Sequence, residues 1–155
     1  MQENMLQVKI NGKEKTYREG TRYLDIALEF QKEEDSKIVL ASVNGKLKEL
    51  KKKVKEGDHV TFLTLKDKNG FMTYRRSMIL LMLKAIYTVG GFDLVDRVGI
   101  HYSVGDGFYV TIAGMDHIES SFLSQVEKEM REMVEKKLPI TKTSVSTDDA
   151  IDLFH

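Results

Sequence analysis

The residues best suited to bind an anion, or to act as acid or base, lie in two short segments of the second half of the chain. They are Arg75, Arg76, Ser77, His101, Tyr102, Ser103, Gly105, Asp106 and Gly107. Guanidinium groups bind phosphate in a bidentate manner, and the glycines beside Asp106 allow a ligand to approach the backbone of a tight turn. The two segments predict a site for a nucleotide or RNA, and we assign no catalytic residue and no metal ligand to it.

Each segment also has a purely structural interpretation. Cations oppose the dipole at a helix start, so Arg75 and Arg76 would pair with a carboxylate such as Asp67 if no phosphate were bound. His101 and Ser103 would share one face of a strand, which permits a base and a nucleophile to meet. The same placement suits a histidine whose ring is simply hydrogen-bonded. Both alternatives stay open at this point.

A third candidate is a basic patch in the first half of the chain. Its members are Lys46, Lys48, Lys51, Lys52, Lys53 and Lys55. A solvated face of the fold explains such a run without a partner, and contact with RNA phosphates is the alternative. No aromatic residue is interleaved with these lysines, which weakens an interpretation based on base stacking in the same segment.

The elements that must position these residues follow from the spacing of apolar side chains. A helical stripe predicts a helix that begins at Thr73 as its N-cap and ends at Gly90-Gly91. The stripe consists of Met78, Leu81, Met82, Ala85, Ile86 and Val89. Strands over residues 97–102 and 108–112 are expected on either side of the glycine turn. Arg75 and Arg76 would then open the helix.

Two further helices are expected near the C-terminus. Asp116 and Glu119 form a capping-box pattern before an apolar run that ends at Leu138-Pro139. Residues 146–149 form a second capping pattern, and the chain stops two turns into the helix that they open. Because an isolated helix of that length is marginal in water, we expect the natural chain to continue beyond residue 155.

The first 66 residues predict a small mixed sheet on one helix, and residues 67–70 a hinge. Strands are expected at residues 5–10, 13–17, 37–43 and 59–65, with Asn11-Gly12 and Asn44-Gly45 as hairpin turns. A helix over residues 22–31, capped by Thr21, is expected between them. Its buried residues are expected to be Leu24, Ala27 and Leu28. The segment containing Leu47, Leu50 and Val54 is expected to be irregular.

Composition restricts the function classes. The chain has 155 residues, 24 basic and 24 acidic side chains and no cysteine. A net charge of zero gives no overall attraction to nucleic acid or to anionic membrane, so any such binding requires a local patch. No disulfide or thiolate zinc site is available. The N-terminus lacks the pattern of a signal peptide, and no apolar run approaches the length of a membrane span. We therefore expect a cytoplasmic protein without a membrane partner.

Residues 5–66 resemble a TGS domain, the ubiquitin-like β-grasp module of threonyl-tRNA synthetases, ppGpp synthetases and some GTPases. The stretches that carry the resemblance are NGK, EGT, ASVNGKLKEL and EGDHVTFL. The resemblance implies an α+β chain with a TGS domain over residues 1–66 and a second domain over residues 67–155.

The second domain resembles the editing domain that follows TGS in threonyl-tRNA synthetase. RRSMILLMLKAI, HYSVGDGFYV and the tail EMREMVEKKLPI…DDAIDLF carry this resemblance. The family pairs two histidines four residues apart on the helix, but Arg76 and Leu80 occupy those positions here. Arginine is neither a metal ligand nor a base, so we expect no hydrolysis of mischarged tRNA by these residues.

The stretches YRRS and HYSVG resemble, more closely still, bacterial uridine-kinase-related proteins in which TGS and editing-like domains precede a P-loop kinase domain. On this resemblance we expect a non-catalytic nucleotide- or RNA-binding module of a uridine-kinase-like protein, with its own C-terminal kinase-like domain as a partner. GxxxxGK[ST] is absent from the 155 residues, so ATP and Mg²⁺ are expected only in that domain. The alternatives are a threonyl-tRNA-synthetase-type N-terminal region that binds tRNA, and a purely structural interaction module.

Overall fold

A computed structural model describes residues 4–105 and 107–154 of the chain. The chain forms two compact units, Met1–Leu80 and Leu81–His155. The division falls inside a long helix, Lys68–Leu94, whereas the sequence places a domain boundary just before that helix, between residues 66 and 67. The boundary at residue 66 remains a prediction about domain organisation.

The first unit contains a five-stranded mixed sheet with one helix packed on it. Its strands are β1 (Met5–Ile10), β2 (Lys13–Arg18), β3 (Ile38–Val43), β4 (Lys46–Lys48) and β5 (His59–Thr64), in the sheet order β2-β1-β5-β3-β4. Strands β1 and β5 run parallel at the centre, and the other neighbouring pairs are antiparallel. Helix α1 (Tyr23–Phe30) and a single 3₁₀ turn (Gln31–Glu33) connect β2 to β3. This is the β-grasp arrangement, so the expected fold of the first unit is confirmed.

Both Asn-Gly turns form as expected. Asn11 and Gly12 have φ angles of 46° and 84°, and Asn44 and Gly45 have 51° and 77°. Two successive positive φ angles match the twist of the flanking strands. The asparagine side chains also reach strand β5, because Asn11 Oδ1 accepts a hydrogen bond from the Phe62 amide at 3.1 Å. The turns therefore help to hold the central strand as well as closing hairpins.

Helix α1 buries one of the three residues predicted to face inward. Ala27 is buried, whereas Leu24 is half-buried and Leu28 is 59% exposed. The other buried residues of the helix are Tyr23, Ile26 and Phe30. The helix is capped by Arg22, whose amide donates to Asp25 Oδ2 at 3.1 Å. The predicted cap was wrong: the hydroxyl of Thr21 donates to the Arg18 carbonyl at 2.8 Å.

Residues 46–48 form strand β4, so the expectation of an irregular segment was wrong at Leu47, whereas Leu50 and Val54 lie in an irregular segment as expected. Leu47 pairs with Ser42 of β3, and its side chain is 52% exposed. Pairing with the neighbouring strand, which the local pattern does not reveal, decides this element.

Helix α2 (Lys68–Leu94) begins five residues before the predicted cap. The hydroxyl of Thr73 donates to the Asn69 carbonyl at 2.8 Å inside the helix and caps nothing. Asp67 instead connects β5 to α2, because its carboxylate accepts the Thr64 amide at 2.7 Å while its carbonyl accepts the Phe71 amide. Residues 68–70 of the predicted hinge are helical, and a break at Gly91 (φ 70°, ψ 164°) interrupts the other end.

By length and composition alone, α2 qualifies as a membrane span, which corrects the expectation that no segment approaches that length. Only 11% of its most apolar stretch is buried. The uninterrupted helix before the break at Gly91, residues 68–90, contains 23 residues, four of which are basic: Lys68, Arg75, Arg76 and Lys84. It rises about 34 Å, which matches a bilayer core of about 30 Å in length, but charged side chains are costly in that core.

The second unit packs parts of four elements on one apolar core. After α2 come strands β6 (Arg97–Val104) and β7 (Gly107–Ala113) and helices α3 (Ser120–Glu135) and α4 (Thr147–Phe154). The buried core residues are Ala85, Ile86, Val95, Ile112, Phe122, Val126 and Met133. The predicted hairpin and the capping of α4 by Ser146 are confirmed, since Ser146 Oγ accepts the Asp149 amide at 3.1 Å. The predicted capping box before α3 does not form: α3 begins at Ser120, and its N-cap, Glu119, makes no capping side-chain bond.

Substitution of Gly70 should destabilise the first unit. A Cβ atom at this position would lie within van der Waals overlap of the Thr64 carbonyl oxygen, at 1.9 Å, and 3.2 Å from Val39 Cγ2. Alanine favours a helix over glycine by about 1 kcal/mol. We expect Gly70→Ala to lower the free energy of unfolding by about 1–3 kcal/mol nevertheless, because the backbone of β5 or α2 must move. The free energy of unfolding can be measured in a urea titration in which NMR signals of β1 and β5 report on the folded first unit.

Asn69→Ala is the matched control, because Asn69 is exposed and neighbours Gly70 on the same helix. It should leave stability unchanged or raise it slightly. If Gly70→Ala raised stability as well, the close approach of α2 to the end of β5 would be contradicted.

The first unit should lose stability in alkaline solution. Burial raises the pKa of Tyr23 well above its usual range, and its hydrogen bond to the negatively charged Asp58 adds to the shift. The neutral phenol is therefore favoured in the folded state, so its stabilising contribution is complete below about pH 10 and is lost as the pH rises further. Above about pH 10, the free energy of unfolding should fall more steeply with pH for the wild type than for Tyr23→Phe. Parallel profiles would contradict the assignment.

Candidate functional site

The six lysines of the basic patch line one groove of the first unit. The groove has a volume of about 760 Å³ and is also lined by Tyr23, Val43, Asn44 and Asp58. The lysine side chains come from β4 and from the segment that follows it, and all six are exposed. The fold therefore gathers charges that are spread over ten positions of the sequence into one concave surface.

Backbone hydrogen bonds hold the lysine segment against the first turn of α1. The amides of Tyr23 and Leu24 donate to the carbonyls of Lys52 and Leu50, at 3.0 and 2.7 Å. The Val54 amide donates to the Thr21 carbonyl at 2.9 Å. Amides at a helix start lack partners within the helix, so these bonds satisfy the helix and fix the segment together. These three bonds involve backbone atoms only.

A buried carboxylate lies at the base of the groove. Asp58 is 5% exposed and accepts the Tyr23 hydroxyl at 2.6 Å, the Asn44 side-chain amide at 3.1 Å and the Lys55 backbone amide at 2.8 Å. These three donors belong to α1, the β3–β4 turn and the lysine segment. Asp58 therefore positions the walls of the groove, and its oxygens are occupied by donors of the chain itself.

The surface of the groove is positively charged. Among the ion pairs of the described residues, none includes Lys46, Lys48, Lys52, Lys53 or Lys55. Residues 46–55 include a single acidic residue, Glu49. Lysine ammonium groups clustered in this way attract phosphate oxygens without reading a base sequence.

Arg75, Arg76 and Ser77 lie inside α2, in the first unit, and not at a helix start. The guanidinium of Arg75 lies over the ring of Phe71, 5.7 Å from its centroid. The hydroxyl of Ser77 donates to the Thr73 carbonyl at 3.1 Å. Arg76 is exposed, and within the described part of the chain no carboxylate lies within 4.0 Å of it, so the expected alternative of pairing with Asp67 does not hold for Arg76. The unfavourable helix dipole invoked for these arginines does not apply at this position.

The β6–β7 hairpin of the second unit contains five of the predicted site residues: His101, Tyr102, Ser103, Gly105 and Gly107. The sixth, Asp106, lies outside the described residues. The side chains of residues 101–103 are exposed. His101 Nε2 lies 2.8 Å from Thr111 Oγ1, and no such bond joins His101 to Ser103 within the described residues. The histidine thus follows its structural interpretation, and a catalytic pair with Ser103 has no support in this geometry.

The hairpin also contains a residue that the sequence did not single out. The ring centroid of Tyr109 lies 5.5 Å from that of His101 and 5.3 Å from that of Tyr102. Its only sequence signal is its place across the predicted hairpin from residues 101 and 102. A register shift between Ile100 and Ser103, which sequence alone does not reveal, brings both rings against it.

Metal-ligating side chains do not converge in residues 4–105 or 107–154, where no group of three histidine, aspartate or glutamate side chains is close enough to hold an ion. Arg76 and Leu80 occupy the positions where the resemblance to the editing domain leads us to expect two histidines, and both are exposed on α2. An arginine and a leucine offer no lone pair to a metal or to a substrate water.

Comparisons with known proteins agree with the fold. Residues 9–64 match the model of the TGS domain. The threonine–tRNA ligase of Thermotoga neapolitana is 28% identical over 145 residues, covering 93% of this chain and 22% of the relative. That of Thermotoga maritima is 29% identical over 145 residues, with the same coverage. That of Syntrophotalea carbinolica is 32% identical over 152 residues, covering 97% of this chain and 24% of the relative.

The chain spans less than a quarter of the length of these relatives. No finding supports the expected relation to uridine kinases, and the stated alternative, a threonyl-tRNA-synthetase-type region, fits the relatives better. The match extends over both compact units, from the β-grasp sheet to the C-terminal helices. The chain thus contains a TGS domain and is homologous to the N-terminal region of threonyl-tRNA synthetases.

Proposed function

We propose that this chain is an RNA-binding module whose lysine groove contacts the phosphate backbone of tRNA. The observation that carries the proposal is the groove itself: six lysines on one concave surface of the first unit. Phosphate contacts from lysine supply affinity and orientation, and they require no particular base sequence.

The rigid attachment of the groove supports this proposal. Because backbone bonds to α1 and the Asp58 carboxylate hold the segment, its lysines need not be ordered from a flexible loop on binding. A binding surface that is already ordered loses less conformational entropy when a partner binds.

The relatives support tRNA as the RNA class. Those reported above bear the name threonine–tRNA ligase, and they match this chain over nearly its full length. A non-catalytic role is proposed because Arg76 and Leu80 replace the histidine pair. The earlier expectation of a uridine-kinase-like parent, with ATP and Mg²⁺ in a separate kinase domain, has no supporting observation. A cytoplasmic location accompanies the proposal as an expectation.

Neutralising the groove should reduce the salt dependence of RNA binding. In Lys48→Gln/Lys52→Gln/Lys53→Gln the backbone bonds of the segment are retained, while three ammonium groups are lost. For single-stranded RNA, each lost phosphate contact should lower the slope of log Kobs against log salt by about 0.7, and hence by about 2 in total. Fluorescence anisotropy with unmodified tRNA and with a short oligouridylate, at several salt concentrations, measures the slope.

Lys32→Gln/Lys37→Gln/Lys68→Gln is the matched control, because these lysines are exposed, lie in the first unit and do not line the groove. The control carries the same net charge as the groove variant. An equal loss of slope in both variants would show a general charge effect and would overturn the assignment of the groove.

A further inference from the structure

We infer that the β6–β7 hairpin carries a stacking platform for one unpaired RNA base, which adds to the phosphate contacts of the lysine groove. The inference rests on the proposed RNA-binding function. The platform consists of His101, Tyr102 and Tyr109.

A β-bulge gathers the three rings. Ile100 pairs with Val110 and Ser103 pairs with Phe108, so His101 and Tyr102 together lie opposite Tyr109. A bulge of this kind places two consecutive side chains against one residue of the partner strand. In a regular ladder, consecutive residues would point to opposite faces of the sheet, and only one of them could contact Tyr109.

The rings form an ordered array with an open end. Tyr109 lies in the middle, stacked on Tyr102 with an angle of 20° between the ring planes and tilted by 42° from His101. The Thr111 hydroxyl holds His101, and Gly99 leaves space for this contact, since a Cβ there would lie 2.8 Å from Thr111 Oγ1. Tyr102 ends the array and is 62% exposed. A planar base can extend the stack on its outer side.

The packing of the hairpin shows that these rings are not part of the core. Ile112 is buried and Val110 contacts the core of the second unit, so alternate residues of β7 face inward. Tyr109 and Thr111 alternate with these two residues and face solvent, and Tyr109 is 48% exposed. Tyrosines stacked on each other at the surface contribute little to burial, but they offer aromatic faces to a ligand.

The strands of the hairpin carry one cationic side chain. Strands β6 and β7 contain one arginine, Arg97, and no aspartate or glutamate, whereas Asp106 between the strands is acidic and lies outside the described residues. Arg97 is exposed, and among the ion pairs of the described residues it has no carboxylate partner. It lies four residues from His101 on β6, about 13 Å along the strand, so a strand of RNA stacked at the platform can place a phosphate near it. A base on the tyrosines and a phosphate on the arginine define an unpaired nucleotide as the ligand.

Three RNA probes separate stacking from charge. They are a short oligouridylate, an abasic strand of the same length, and an RNA duplex whose bases are already stacked. Tyr102→Leu keeps an apolar side chain and removes the aromatic face. It should weaken binding of the oligouridylate by about 5- to 100-fold and leave binding of the abasic strand and the duplex unchanged. Tyr102→Phe should restore the wild-type affinity.

The possible outcomes distinguish this inference from the proposed function. If Tyr102→Leu bound the oligouridylate as the wild type does, while the groove variant lost its salt dependence, the platform would be wrong and the proposed function would stand. Equal weakening for all three probes would mean a structural disturbance of the hairpin and would also overturn the platform. If the wild type bound neither tRNA nor any probe, both proposals would fail.

Discussion

Three separate segments of the first unit depend on the hydrogen bonds that they donate to one buried carboxylate, that of Asp58. Its oxygens accept three hydrogen bonds: from the Tyr23 hydroxyl of α1, from the Asn44 side-chain amide of the β3–β4 turn and from the Lys55 backbone N–H of the lysine segment. A buried charge is tolerated only where such donors compensate for its lost hydration. The carboxylate therefore enforces one arrangement of these segments, because moving any of them away leaves a buried polar group unpaired.

The groove follows from this arrangement. Six like charges on neighbouring positions repel each other, but exposed lysines in water interact weakly, and salt screens them further. The backbone hydrogen bonds to α1 and the hydrogen bonds around Asp58 hold the segment in place and offset the repulsion between its lysines. This arrangement explains how a chain with equal numbers of acidic and basic residues presents a strongly basic local surface. Net charge alone would not identify it.

The second unit relies on a different device. Its hairpin keeps apolar residues on one face through Val110 and Ile112, and the bulge breaks the alternation of β6 at residues 101 and 102. The rings that would otherwise lie on opposite faces meet at Tyr109. On helix α2 the exposed side chains of Arg76 and Leu80 offer no lone pair to a metal or to a water.

Strands and turns that depend on interactions between sequence neighbours could be predicted from the sequence alone. The Asn-Gly turns require positive φ at both residues, and the strands beside them alternate locally, so β1, β2, β3 and β5 were correctly predicted. The motifs NGK and EGDHVTFL correctly indicated a TGS domain. The basic run and the hairpin were also visible as candidates, although their geometry was not.

Tertiary structure decided what depends on contacts between distant residues. Leu28 is exposed because the face that α1 presents to the sheet begins at Tyr23, which is held by Asp58. Two further features could not be predicted from the local sequence. One is the register shift that brings His101 and Tyr102 against Tyr109, and the other is the arrangement of six lysines around one groove. Local propensity reports only the energies of neighbouring residues, whereas these features arise from pairing and burial across the sheet.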